Sequence, residues 1–156
     1  MKNMKTFAVI ILSIFLSVLG CTDNEVEKNR RDYVIENDTN LMVNITFYDR
    51  VNGNTIASRI LNPSDELIGT VEQTSDFDNS GFTTSSAFQA DSVRLIIDNA
   101  KFYTNVFNTI NNAFSEPINR NLFRHSNYEN LGNERYLFKI TQQDYENAED
   151  CNENCD

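Results

Sequence analysis

The chain has 156 residues, of which 23 are acidic and 13 basic, for a formal net charge of −10. That balance excludes nucleic acid as a partner, since phosphates demand Lys and Arg, and it excludes a basic grip on anionic lipid. It favours solubility and cationic partners, and the length suits one domain with one core.

Lys2 and Lys5 precede an apolar run from Phe7 to Leu19 that Ser13 and Ser17 alone interrupt. A basic start followed by an apolar stretch of about 7–15 residues is the pattern of a secretory signal. A transmembrane helix needs ~20 apolar residues to cross ~30 Å of hydrocarbon. The run ends in Val18-Leu19-Gly20-Cys21, which resembles the lipobox of bacterial lipoproteins: an aliphatic residue, a tolerant position, a small residue, then cysteine. Leu19 is a less usual occupant of the tolerant position. The resemblance covers the first 21 residues. It implies cleavage before Cys21 and lipidation of its thiol, with several acyl chains holding the protein to a membrane. Residues 1–20 are thus expected to be a signal peptide. They carry two of the 13 basic residues and none of the 23 acidic ones, so their removal leaves a formal charge of −12.

Residues 21–31 read as an acidic tether, because Thr22-Asp23-Asn24-Glu25-Val26-Glu27 holds one apolar side chain and cannot pack. In some Gram-negative bacteria, acidic residues just after the lipid cysteine resemble a signal for export to the cell surface. The remaining residues, 32–156, are expected to form a single β-rich domain.

Within it, Tyr33 to Ile35 reads as an opening strand. Leu41, Val43, Ile45 and Phe47 alternate with Met42, Asn44, Thr46 and Tyr48, the pattern of a strand with one buried face. Asn52-Gly53 is a hairpin signal, because both central residues of a type I′ turn need positive φ. Thr55 to Leu61 is the return strand, and Glu66 to Gln73 a third. Ser92 to Asp98, Lys101 to Thr104 and Arg135 to Ile140 complete the set. Short strands with turn residues between them point to an antiparallel β-sandwich, of the immunoglobulin-like or transthyretin-like kind. Phe102, Val106, Ile110 and Phe114 are spaced by four, which predicts a short, partly helical crossover over 104–121 ending near Pro117. Residues 141–150 predict a C-terminal helical turn capped by Thr141.

Several residues are candidates for chemistry. Asp76-Phe77-Asp78-Asn79-Ser80-Gly81 resembles the opening of a calcium loop, with Asp76, Asp78 and Ser80 as ligands for Ca²⁺. The full loop needs a bidentate glutamate at its twelfth position, which here is Ala87, and the stretch reads more simply as a polar loop. Asp91-Ser92-Val93 resembles the Asp-Ser/Thr-aliphatic site of O-glycosylation in some of the same bacteria, with Ser92 as acceptor. The competing reading makes Ser92 the start of a strand. His125, the only histidine, sits in a polar stretch and reads as an exposed loop residue. Cys151 and Cys155 remain once Cys21 is lipidated, and an even remainder in an exported chain suggests a disulfide. Free thiols, a redox pair, or a metal site with Glu149, Asp150 and Asp156 are the other readings. The phenylalanines and tyrosines are expected to fill the core, each burying 150–250 Å². No Walker loop, dinucleotide fingerprint, C-x-x-C or H-E-x-x-H is present, so no catalytic motif points to an enzyme and no cofactor beyond Ca²⁺ is implied.

Taken whole, the chain resembles the small lipoproteins of Gram-negative envelopes, which implies attachment to the outer membrane and an outward or periplasmic face. Two classes of function stay open. An interaction module predicts an exposed sheet edge or apolar patch for a protein partner. An envelope-polymer hydrolase predicts a deep cleft with convergent carboxylates. An immunity or inhibitor lipoprotein that plugs a basic toxin is a narrower form of the first class.

Overall fold

The computed structural model describes residues 28–49, 51–74, 83–152 and 155. The signal peptide, Cys21 and the calcium-like residues Asp76, Asp78 and Ser80 lie outside them, as does Asp156. The described residues form a β-sandwich of two sheets with two short helices. The strands are β1 (Lys28–Asp38), β2 (Val43–Tyr48), β3 (Thr55–Leu61), β4 (Glu66–Thr74), β5 (Ser92–Ile97), β6 (Lys101–Asn108), β7 (Ala113–Phe114), β8 (Glu129–Gly132), β9 (Arg135–Thr141) and β10 (Glu149–Asp150). Helix α1 is Thr84–Phe88 and α2 is Gln142–Asn147. One sheet runs β4-β1-β9-β8 and the other β10-β6-β5-β2-β3, with β7 beside β6.

Alternation decides the core. Tyr33, Ile35 and Asn37 of β1 and Phe138 and Ile140 of β9 face Val43 and Ile45 of β2 and Val93, Leu95 and Ile97 of β5, all fully buried. Helix α1 closes one edge. Its Phe88 stacks on Phe47 with ring centroids 5.0 Å apart, and a Cβ at Gly69 would stand 2.5 Å from the Phe88 ring, so β4 needs a glycine there.

Four expectations are corrected. β1 begins at Lys28 rather than at residue 32. Arg30 and Arg31 pair with Glu72 and Val71 of β4, and Arg31 also binds Glu134 at 2.7 Å. The strand is therefore held by cross-strand partners that its polar composition hides. The sandwich is antiparallel except at β1 and β9, which pair in parallel from Asp32↔Arg135 to Asp38↔Thr141. The helix expected over 104–121 is absent. Phe102 and Val106 lie on β6, paired on both sides, Phe114 of β7 stacks on Phe107 at 5.0 Å, and Ile110 is 88% exposed in the turn between. Only the 3₁₀ turn Ile118–Arg120 is helical there. Finally, of Asn52 and Gly53 the glycine alone has positive φ, +69°. The Asp49 carboxylate takes the Val51 N–H and the Asn52 amide, both at 2.8 Å, and widens the loop.

The C-terminal expectations hold. Thr141 precedes α2, and the Asp144 carboxylate accepts from its N–H at 2.7 Å and its hydroxyl at 2.9 Å. Cys151 and Cys155 form a disulfide with Cα atoms 4.9 Å apart.

Among the described residues, Asn37 is one of three fully buried asparagines, with Asn105 and Asn121. It donates to Leu41 O at 2.8 Å and Leu61 O at 2.9 Å, and accepts from Thr39 N–H and hydroxyl at 3.1 and 2.7 Å. Asn37→Ala strands these buried partners and is expected to lower the unfolding free energy by about 2–4 kcal/mol. Urea titration checks this, with exposed Asn130→Ala as the control that changes little.

Candidate functional site

The outer face of the β10-β6-β5-β2-β3 sheet is covered by no other element of the described residues. Its cross-strand rows follow from the register. One row is Ile60, Asn44, Ile96, Phe102 and Glu149; the next is Ser58, Thr46, Arg94 and Thr104; a third contains Tyr48, Ser92 and Val106. Ile60 is 59% exposed. Ser58 shares a hydroxyl contact of 3.1 Å with Thr46 and donates to Asn44 Oδ1 at 3.2 Å. Apart from Glu149 at the rim, these rows hold no carboxylate, in a chain with 23 of them.

Arg94 stands at the centre. Its guanidinium lies 4.5 Å over the Phe102 ring, a cation–π contact that keeps the planar group flat on the sheet. Its Nε is buried without a hydrogen-bond partner. Such an arginine is pre-oriented to meet a carboxylate.

The outer face of the other sheet is its opposite. There Arg135 binds Glu66 at 2.8 Å, reaching across fully buried Val34, while Arg30 binds Asp32 at 3.0 Å and Lys139 lies 3.5 Å from Glu36. Burial pulls the Asp32 carboxyl up, but hydrogen bonds from Thr70 and Arg30 outweigh it and hold it below its usual range. Glu72 and Glu129 stand on the same face with no ion pair among the described residues, so the face keeps an acidic excess.

His125 is exposed, as expected of a loop residue, but it is not a free one. It opens the 3₁₀ turn His125–Asn127, and its Nδ1 is 3.1 Å from the Tyr33 hydroxyl. Its ring meets Tyr136 edge-on at 4.6 Å and Tyr33 at 5.7 Å. Arg31 covers Tyr136 at 5.1 Å and is itself held by Glu134. Partial desolvation and the nearby Arg31 depress the imidazole below 6.5, with Glu134 opposing them. The ring is neutral at pH 7. The cluster pins the end of β1 to the β8–β9 turn, and no nucleophile pairs with the histidine.

Two cavities of the described residues hold carboxylates. One of about 60 Å³ is lined by Tyr103, Pro117, Arg120, Asp144, Asn147 and Ala148. Its Asp144 is bound to Arg120 at 2.6 Å and caps α2. A wider depression of about 230 Å³ has Asp49 and Asp91 on its walls, and Asp49 is engaged by the Val51 N–H and the Asn52 amide. Among the described residues no three His, Cys, Asp or Glu converge as a metal site.

Of the residues singled out from sequence, Ser92 begins β5 and stands half-buried between Tyr48 and Val106, where a glycan would cover the end of the open face. The disulfide lies beyond β10, its Cys151 N–H bonded to Ala100 O at 2.8 Å. Ser92 thus lies on the same face as Arg94, two residues before it on β5, and the disulfide lies apart from that centre. Sequence reasoning missed the face itself, although its signal was present: the outward positions of β2, β5 and β6 carry no Asp or Glu. No family model, curated protein or solved structure matches the chain.

The depressed imidazole has a consequence for stability. The unfolded chain takes up the His125 proton near pH 6.5 and the folded one only at lower pH, so the contribution of His125 is whole above pH 6.5 and declines below it. Between about pH 7.5 and 5.5 the urea midpoint of the wild type is expected to fall more than that of His125→Gln. Equal falls in the two proteins would contradict the depressed value.

Proposed function

We propose that the chain is a lipoprotein of the Gram-negative envelope, anchored to the outer membrane through Cys21, whose β domain is an interaction module for a protein partner. The observation that carries the reading is the uncovered, nearly acid-free face around Arg94. Hydroxyls, aliphatic groups and one oriented cation suit a protein surface, and a half-buried Arg held on an aromatic ring is the residue type that anchors interfaces. The edge strand β3, with Ile56 and Ile60 exposed, extends that surface. The lipobox residues Val18 to Cys21 support the anchor, and the acids that follow them agree with a solvated tether.

The hydrolase reading is weaker, because the carboxylates Asp144 and Asp49 beside the two cavities described are engaged by neighbouring groups. An inhibitor of a basic toxin would offer an acidic surface, and the β4-β1-β9-β8 face, where acids outnumber bases, is the side of the domain that would serve that narrower reading. Calcium at Asp76, Asp78 and Ser80 and a glycan on Ser92 belong to the same envelope reading as secondary features.

Labelling with an alkyne analogue of palmitate in a Gram-negative host tests the anchor. The wild-type chain is expected to take the label and sediment with membranes. Cys21→Ser is expected to lose the label and to leave the uncleaved precursor. A wild-type chain without label would overturn the anchored reading.

A further inference from the structure

The open face carries two unmatched charges. Arg94 has no ion pair or hydrogen bond among the described residues, and its Nε is buried and unpartnered. Glu149, on β10, is exposed and likewise has no ion pair among them. They flank Phe102, which pairs with Glu149 across the β6–β10 ladder and lies beneath the Arg94 guanidinium. The strands that carry them are two spacings apart, about 10 Å. No other acid stands in the rows between β3 and β10.

An isologous interface requires a self-complementary patch, in which residue i meets j and j meets i. One cation and one anion on either side of a shared aromatic form such a patch. We infer that the occupant of this face is a second copy of the same chain. A two-fold axis over Phe102 sets the two rings together and gives two symmetric pairs, Arg94 of each copy with Glu149 of the other. A polyanion is disfavoured by the overall charge. Elsewhere two such acidic bodies repel each other, and this face is where their carboxylates stand aside. The inference rests on the reading of the domain as an interaction module and names its partner.

The footprint sets the strength. Four strands about 4.8 Å apart and some six residues long, with the two-residue β10 at the rim, cover on the order of 400 Å², about half the ~800 Å² per partner of a standard interface. The dimer is therefore transient in free solution and is favoured when lipid tethers confine both copies to one surface, which raises their effective concentration.

The test uses the full chain in the membranes of a Gram-negative host, with Thr104→p-benzoylphenylalanine as a photo-crosslinker at an exposed position of the face. Irradiation of this chain is expected to give a product at twice the monomer mass. Arg94→Glu or Glu149→Arg alone is expected to reduce that product about tenfold, by setting like charges opposite each other. The double variant Arg94→Glu with Glu149→Arg is expected to restore it to within about twofold, which a folding defect in either single variant would not do. A product at another mass overturns the self-association and keeps the interaction module with a different partner. Absence of any product, or a double variant no better than the singles, overturns it as well.

Discussion

Asn37 is the joint between the two sheets. Its amide sits at the end of β1, fully buried, and both its N–H groups and its oxygen are used. The Leu61 carbonyl ties it to β3, and the Leu41 carbonyl and the Thr39 hydroxyl shape the corner into β2. Its backbone adds bonds to Asp65 O and Ser64 N, at 3.0 and 2.8 Å, in the turn before β4. One residue thus orients the corner that carries the chain from the first sheet to the second and the arch that carries it back. A buried amide with every group satisfied specifies one geometry, since any shift would leave a donor or acceptor unpaired in a low dielectric. The position of β2 and β3, and so of the open face, follows from it.

The two outer faces then divide the charges. On the β4-β1-β9-β8 face, Asp32, Glu36 and Glu66 are paired with Arg30, Lys139 and Arg135 around Val34 and Leu137, while Glu72 and Glu129 leave the face net acidic. On the other face the outward positions hold hydroxyls, amides, aliphatic groups and Arg94. Net charge alone describes this protein as an acidic body that repels its like. Its distribution describes a body with one approachable side. The physical difference lies in which strand positions the carboxylates occupy, and pKa behaviour follows: Asp32 is held low by close partners on the paired face, while His125 is depressed by burial and Arg31 at the end of the same sheet.

Much of the sandwich was legible because period-two alternation is local. Leu41 to Tyr48, Ser92 to Ile97 and Arg135 to Ile140 each declare a buried face, and Thr141 declares the cap of a helical turn. The positive φ of Asp98-Asn99 and Asn133-Glu134, in the β5–β6 and β8–β9 turns, was found only in the structure. What was hidden is non-local. The parallel pairing of β1 with β9 joins residues about a hundred positions apart, and no spacing in either strand announces it. The first residues of β1 resemble a tether because their stability comes from Glu72, Val71 and Glu134 rather than from apolar side chains. The interval of four in Phe102 to Phe114 imitated a helix, but strand partners on both sides of β6 override so weak a propensity. The candidate site was legible only in part. Arg94 is one more arginine in the sequence until the register sets Phe102 beside it and leaves acids out of the neighbouring rows.

The central proposal is that the chain stands in a Gram-negative envelope with its Arg94 face occupied. Hydroxyl-radical footprinting reads this directly at Tyr48 and Phe102, two outward rings of the face. The same full-length chain would be labelled in intact envelopes and after dilution into detergent, with Tyr145 of α2 as the internal reference. The account predicts that Tyr48 and Phe102 are protected in the envelope and oxidised in detergent, while Tyr145 changes little. Equal oxidation of the two rings in both states would contradict it.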